Sequence, residues 1–254
     1  MSSFLALWDV DYTLVDAYGI GRHLYELAFA ELYGRDLPAE AAEANMAGRT
    51  DRAIALDVLA LAAVPEPQQH VRQFEAALTR LAPGLAGLVA AQARALPGAS
   101  DALAALAALG AHAPRAVPAG GSGPAGLAEP AVRQSLLTGN VRALAEVKLA
   151  PLGLTEYLDL EIGAYGDESA VRSELVHLAR SRAAAAYGDD CAGPATVLIG
   201  DTPLDVAAAL AAGARAVGVA TGRFSVAELT GSGAHAVLPD LTDTGRVVAA
   251  VLGG

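Results

Sequence analysis

Three short apolar runs in this chain each stop at a polar group, and that pattern constrains the fold more than any other feature. Residues 4–8 end at Asp9-Val10-Asp11-Tyr12-Thr13, residues 134–137 end at Thr138-Gly139-Asn140, and residues 195–199 end at Gly200-Asp201-Thr202-Pro203-Leu204-Asp205. Brief apolar runs bounded by glycine, proline and acidic residues read as buried strands. Two more strands are expected at 158–163 and 216–219. Helical stretches separate the runs: one to Leu109 capped by Ser100, then 141–149, 169–187 and 204–212, the last stopped by Gly213. Strands and helices in alternation imply right-handed crossovers and a parallel sheet. In an open parallel sheet the carboxyl ends of the strands face one crevice, so the three polar groups meet there.

The stretch between the first run and Pro97-Gly98 is helical. Leu24, Leu27, Ala28 and Leu32 recur at helical spacing, as do Ile54, Val58, Leu59 and Leu61, with breaks at Pro65 and Pro67 and a third helix over 71–81. This block could fold as a small bundle of its own. Residues 110–130, rich in Gly, Pro and Ala around Gly120-Gly121-Ser122-Gly123-Pro124, read as a flexible surface loop.

Composition narrows the function classes. With 54% hydrophobic and 18% charged residues the chain has material for a buried core, which excludes disorder throughout. The net charge of −11, without a basic cluster, argues against nucleic acid and acidic lipid surfaces as partners. A single cysteine, Cys191, allows no internal disulfide. The first residues lack the positive start of a signal peptide, and no uncharged run reaches the roughly 18 to 20 apolar residues of a membrane span. A soluble cytoplasmic protein is expected. The five histidines show no metal spacing, and Trp8 reads as packing.

Carboxylates gathered in one crevice repel unless a cation sits among them, and oxygen ligands suit Mg²⁺. An aspartate can attack a phosphoryl group and carry it as an acyl phosphate, while a neighbour two residues on trades a proton with the leaving oxygen. The hydroxyl and backbone N–H groups of Thr138, Gly139 and Asn140, opening a helix, suit phosphoryl oxygens. A basic side chain completes the set, and Arg172 and Lys148 are the candidates.

Asp9-Val10-Asp11-Tyr12-Thr13-Leu14, Leu136-Leu137-Thr138-Gly139-Asn140 and Gly200 to Asp205, in this order, resemble the motifs of the haloacid dehalogenase-like hydrolases, and the stretch from Gly200 to Gly222 is similar to the phosphoglycolate-phosphatase-like branch. The resemblance implies an α/β fold, with a Rossmann-like parallel-sheet core of residues 1–16 and 97–254. A small α-helical cap domain, residues 17–96, is inserted after the first strand. It also implies a Mg²⁺-dependent phosphatase acting on a small soluble phosphomonoester; the oligomeric state, monomer or dimer, is left open by the sequence. Asp9 becomes the nucleophile, Asp11 the general acid and base that also lends its backbone carbonyl to Mg²⁺, and Thr138 a phosphoryl-binding group. Asp201 becomes a metal ligand, and Asp205 supports the metal from behind.

Tyr12 stands where the family most often has glycine, and the usual lysine-proline motif is missing. Arg172 is favoured for the missing cation, ahead of Lys148, although its planar fork differs from a point charge. In Gly48-Arg49-Thr50-Asp51, one reading is a helix cap by Thr50 or Asp51; the other sets Arg49 and Asp51 against the substrate. Two alternatives to the phosphatase remain: a phosphomutase of the β-phosphoglucomutase type, and a catalytically quiet binding protein.

Overall fold

The computed structural model describes residues 3–110, 131–188 and 191–254. Strand β1 (Ser3–Trp8) is buried from Leu5 onward and serves two cores by simple alternation. Leu5 and Leu7 face one core, Ala6 and Trp8 the other. The same alternation recurs in β5 (Thr196–Gly200), with Leu198 opposed to Val197 and Ile199, and in β6 (Arg215–Val219). A sheet apolar on both faces must be covered on both, as parallel sheets are. The ribbon β2 (Val15–Asp16) and β3 (Arg94–Ala95), and the strands β4 (Ala131–Leu136) and β7 (Ala236–Leu238), complete the set. The main sheet runs β4-β1-β5-β6-β7 with every pairing parallel.

One face is covered by α8 (Arg172–Tyr187), α9 (Pro203–Ala211) and α10 (Val226–Gly231), through Leu175, Val206 and Leu229. The other carries α6 (Ala99–Gly110), α7 (Arg142–Leu149) and α11 (Thr244–Leu252), through Leu103, Leu144 and Val251. Helix α9 starts on a capping box, with Thr202 and Asp205 bonding each other's backbone N–H and Pro203 at the first helical position.

Helices α1 (Ile20–Tyr33), α2 (Ala39–Ala42), α3 (Asp51–Leu61), α4 (Pro67–Leu81) and α5 (Ala86–Gln92) lie between β2 and β3. The chain enters and leaves this segment through one antiparallel ribbon, Val15 opposite Ala95 and Asp16 opposite Arg94. Tyr25 and Phe74 pack with ring centroids 5.4 Å apart, both buried, a contribution of about 1.5–3 kcal/mol for Phe74 alone. Arg52 ties the segment to the sheet side: it pairs with Glu75 at 2.7 Å and donates to the carbonyls of Glu168 and Asp167.

Several sequence expectations need correction. Residues 158–163 form no strand: a 3₁₀ turn over Leu154–Tyr157 leads into turns, and one bridge joins Leu137 to Ala164. Asp159 and Glu161 interrupt the apolar run, and the segment is held instead by Asp159 N–H on the Gln134 carbonyl and the Ser135 hydroxyl on the Asp159 carbonyl. Helix α6 starts at Ala99, so Ser100 lies inside its first turn rather than capping it, and the helix runs to Gly110. The remainder of the expected 110–130 loop lies outside the described residues. The helical run Pro67–Gln92 has the length and mean hydropathy of a membrane-crossing helix, but it carries Arg72, Glu75 and Arg80, so the expectation that no uncharged run is long enough stands. Phe74, Leu78 and Val89 in it are buried within the protein.

Candidate active site

The register of the sheet brings the polar groups level. Trp8 pairs with both Leu136 and Ile199, so Asp9, Thr138 and Asp201 follow neighbouring strand ends. Asp9 N–H donates to the Ile199 carbonyl at 2.9 Å, and Leu137 N–H to the Trp8 carbonyl at 2.9 Å. One carboxylate oxygen from each of Asp9, Asp201 and Asp205 lies within 4.8 Å of the others, and all three residues are buried. Arg172, the first residue of α8 and itself buried, reaches Asp9 at 3.0 Å and Asp205 at 2.6 Å.

Three buried carboxylates against one guanidinium leave an excess of negative charge. Burial pushes Asp9 up to about 7, against the pull of Arg172, with the charges of Asp205 and Asp11 adding to the rise. Asp201 rises to about 9, through burial first and then Asp205, Asp9 and Asp11. Among the described residues no donor meets the Asp201 carboxylate. Asp205 differs, since its Oδ2 accepts the Thr202 hydroxyl at 2.6 Å and backbone N–H at 3.1 Å. Gly222 keeps the wall open, because a Cβ built there would stand 1.8 Å from Asp201 Oδ2. A buried, donorless carboxylate beside two more fits a divalent cation.

These shifts set a pH dependence in the metal-free protein. Asp9 and Asp201 in the folded chain hold protons that the unfolded chain releases near the ordinary aspartate value of 3.8. Stability therefore falls as pH rises from about 4 through 9, because the folded state binds more protons in that window. Melting temperature of the metal-free protein should be lower at pH 9 than at pH 6, and Mg²⁺ should raise it more at pH 9. An equal Mg²⁺ effect at both values would contradict this electrostatic account.

Asp11 stands apart from the trio. Both its oxygens lie 2.7 Å from Lys148 Nζ, and Asn140 Nδ2 donates to Oδ2 at 2.7 Å. Lys148 is buried on α7 and also donates to Asn140 Oδ1 at 2.9 Å. The two candidate cations are thus both present: Arg172 on Asp9 and Asp205, Lys148 on Asp11. Thr138 is fully buried, its hydroxyl oxygen accepting from Asn140 Nδ2 at 2.9 Å.

Arg49 lines the same cavity, but Asp57 neutralises it at 2.7 Å. Asp51 lines the cavity as well, and its carboxylate is held by protein groups. It is buried, with Oδ1 accepting from the Tyr25 hydroxyl at 2.8 Å and Oδ2 from Val141 N–H at 2.6 Å. Both oxygens are engaged, so Asp51 joins α1 to the start of α7, while Thr50 caps α3. Burial raises Asp51 to about 6, opposed by those two hydrogen bonds and by Lys148. Its own N–H donates to the Gly139 carbonyl at 2.7 Å, which fixes the helical segment against the Thr138–Asn140 turn. The approach is close enough that a Cβ on Gly166 would stand 1.6 Å from the Gly139 oxygen. Gly166→Ala should cost about 1–3 kcal/mol or more, read as a lower urea midpoint, since backbone must shift; an unchanged midpoint would refute this close approach.

Sequence reasoning passed over Tyr25, Thr202, Arg22 and Arg223, which also line the cavity. Only Thr202 carried a signal, the Thr-x-x-Asp spacing of a capping box.

Residues 174–244 match the model of a family described as HAD-hydrolase-like. Among solved structures, a hydrolase from Pseudomonas syringae superposes with a TM-score of 0.61 at 18% identity, covering 96% of this chain and 97% of that one. The chain shares the parallel-sheet α/β fold of that hydrolase, with the HAD-hydrolase-like match lying over residues 174–244. A β-phosphoglucomutase-like protein from Bacteroides vulgatus gives 0.61 at 16% identity, covering 99% of this chain and 90% of that one. CbbY from Rhodobacter sphaeroides, in complex with phosphate, gives 0.60 at 17% identity and 96% of each chain. A search of curated proteins found no match. The recognition drawn from Asp9–Leu14, Leu136–Asn140 and Gly200–Asp205 agrees with these findings.

Proposed function

We propose that the protein is a Mg²⁺-dependent phosphatase that hydrolyses a small phosphomonoester through an aspartyl-phosphate on Asp9. The observation that carries this reading is the meeting of Asp9, Asp201 and Asp205 at adjoining strand ends, with Arg172 3.0 Å from Asp9. Asp9 and Asp201 would hold the ion through their carboxylates and Asp11 through its backbone carbonyl, with Asp205 behind them. When bound, the ion offsets charge between nucleophile and phosphate and polarises a phosphoryl oxygen.

The remaining chemistry belongs to the chain. Asp9 attacks phosphorus, an Asp9–phosphorus bond forms, and the bond to the leaving oxygen breaks. Asp11 gives that oxygen a proton, then takes one from the water that attacks the acyl phosphate. Lys148 holds Asp11 in the free protein, and an arriving phosphoryl oxygen competes for its ammonium group. Arg172 pulls Asp9 toward its ionised form, against the rise that burial causes. The Thr138 hydroxyl and the N–H groups after it receive the transferring oxygens. Residues 17–96 act as a cap that excludes water during transfer. A cytoplasmic setting accords with a chain whose lone cysteine forms no internal disulfide.

A phosphomutase is the second reading, favoured by the likeness to the β-phosphoglucomutase-like structure. It differs only in whether a sugar hydroxyl or water accepts the phosphoryl group. Phosphate release from a panel of phosphomonoesters, measured after EDTA and after Mg²⁺ addition, tests the proposal. Turnover should need Mg²⁺ and yield free phosphate. Isomerised phosphoester without free phosphate would turn the reading to a mutase, and no turnover of any compound would turn it to a binding protein.

A further inference from the structure

Among the described residues the non-glycine positions with positive φ are Tyr12, Tyr18, Ala63 and Glu66, and of these the two tyrosines line the cavity of about 760 Å³ above the carboxylates. Tyr12 has φ 56° and Tyr18 φ 46°, in the left-handed region that crowds a Cβ and that glycine enters freely. Hydrogen bonds hold both backbones there. Tyr12 N–H donates to the Val15 carbonyl at 2.8 Å, and the Tyr12 carbonyl accepts the Thr221 hydroxyl at 2.5 Å. Tyr18 N–H donates to Asp16 Oδ1 at 3.0 Å. Burial does not offset the strain, since Tyr12 is 47% exposed and Tyr18 60% exposed. Among the described residues neither ring packs on another aromatic ring or under a guanidinium, and neither hydroxyl is hydrogen-bonded to the protein. Tyr12 stands beside the reaction centre: a Cβ built on Gly222 would meet the Tyr12 Cβ at 3.2 Å and Asp201 Oδ2 at 1.8 Å. Tyr18 stands where the chain leaves β2 for α1. Ala17, Ala44, Met46 and Ala47 add apolar wall to the same cavity, which is larger than a phosphoryl group needs.

Strained backbone persists where the surrounding structure over-determines it, and it gathers at ligand clamps. Aromatic rings meet in offset or edge-to-face pairs that gain more than a saturated group of equal area. We infer that Tyr12 and Tyr18 form an aromatic face at the mouth of the cavity that holds a ring of the leaving group, so that the compound taken is a phosphomonoester whose alcohol bears an aromatic ring; this rests on the phosphatase reading above. Glycine at position 12 would give the turn its φ without strain but would remove the face.

The test compares benzyl phosphate with cyclohexylmethyl phosphate, which match in charge and length and differ in the ring. Binding is measured by calorimetry with Mg²⁺ on Asp9→Asn, which retains the cavity without turnover, and again with Tyr12→Gly and Tyr18→Asn added. Glycine and asparagine accept positive φ, so the urea midpoint should not fall. The aromatic compound should bind about 5- to 100-fold tighter than the saturated one. That ratio should fall toward one in the double replacement and hold in Tyr12→Phe, which keeps the ring. A benzyl phosphate that does not bind, a ratio near one, or a ratio that survives the double replacement overturns the inference. So does a ratio lost in Tyr12→Phe, or a double replacement that unfolds at a much lower midpoint, which would make the rings structural. Wild-type turnover of the same pair separates the two proposals. Hydrolysis of both compounds at equal kcat/KM leaves the phosphatase and removes the aromatic face; ring-dependent binding without hydrolysis leaves the face and removes the phosphatase.

Discussion

Asp9→Asn is expected to lower phosphate release on the order of 10⁴-fold or more while leaving the protein folded. Asparagine matches aspartate in shape, so the packing around Trp8 and Val10 is kept, but its amide cannot form an acyl phosphate. The stability side has a definite sign. The carboxylate it removes is one that burial and the charges of Asp205 and Asp11 disfavour, so the metal-free variant should melt no lower than wild type at pH 8 to 9. Phosphate release and a melting curve on the same sample check both parts. A variant retaining a tenth of wild-type activity would remove Asp9 from the nucleophile's role, and a variant that melts far lower would mean that Asp9 is chiefly structural.

Arg172→Met should be harmful to both folding and activity. The guanidinium is the cation facing Asp9 at 3.0 Å and Asp205 at 2.6 Å, with all three residues buried. Removing one member of a buried ionic group leaves uncompensated charge, at a cost of about 3–5 kcal/mol. Asp9 then loses the interaction that most lowers its pKa, and spends more of its time protonated and unable to attack. Activity should fall on the order of 10²-fold or more. Arg172→Lys should recover part of both losses, since the charge returns but the fork that spans two carboxylates does not. Urea unfolding at pH 7, with and without Mg²⁺, reads the first effect, and Mg²⁺ should return some of the lost stability. If Arg172→Met unfolds at the wild-type midpoint, the guanidinium does not balance these carboxylates.

Much of this arrangement is legible in the sequence, because a parallel sheet turns a one-dimensional pattern into a position. An apolar run ending in Asp9, and another ending in Asp201, fixes both residues at strand ends whatever the intervening chain does. Legibility stops where burial and partners decide. Residues 158–163 have strand-like apolar content, yet Asp159 and Glu161 turn the segment away from the ladder and leave a single bridge at Ala164. Asp51 carries the composition of a substrate-facing acid, and only the packing of α1 against the start of α7 shows that Tyr25 and Val141 take both its oxygens. Arg172 and Lys148 read as rivals for one position, since spacing cannot say that each has its own aspartate. Arg22 and Arg223 lie some two hundred positions apart in sequence, with no local pattern to pair them; in the fold they reach adjacent residues, Arg22 the Ala44 carbonyl and Arg223 the Asn45 side chain.

The central claim is that Asp9 attacks phosphorus beside a divalent ion held by neighbouring aspartates. A crystal structure of the protein with Mg²⁺ and beryllium trifluoride, which takes the place of the phosphoryl group on an aspartyl-phosphate, tests it most directly. The account predicts beryllium bonded to an Asp9 carboxylate oxygen, Mg²⁺ against Asp9 and Asp201, and Arg172 beside them. Beryllium on another side chain, or Mg²⁺ bound away from Asp201, would contradict it.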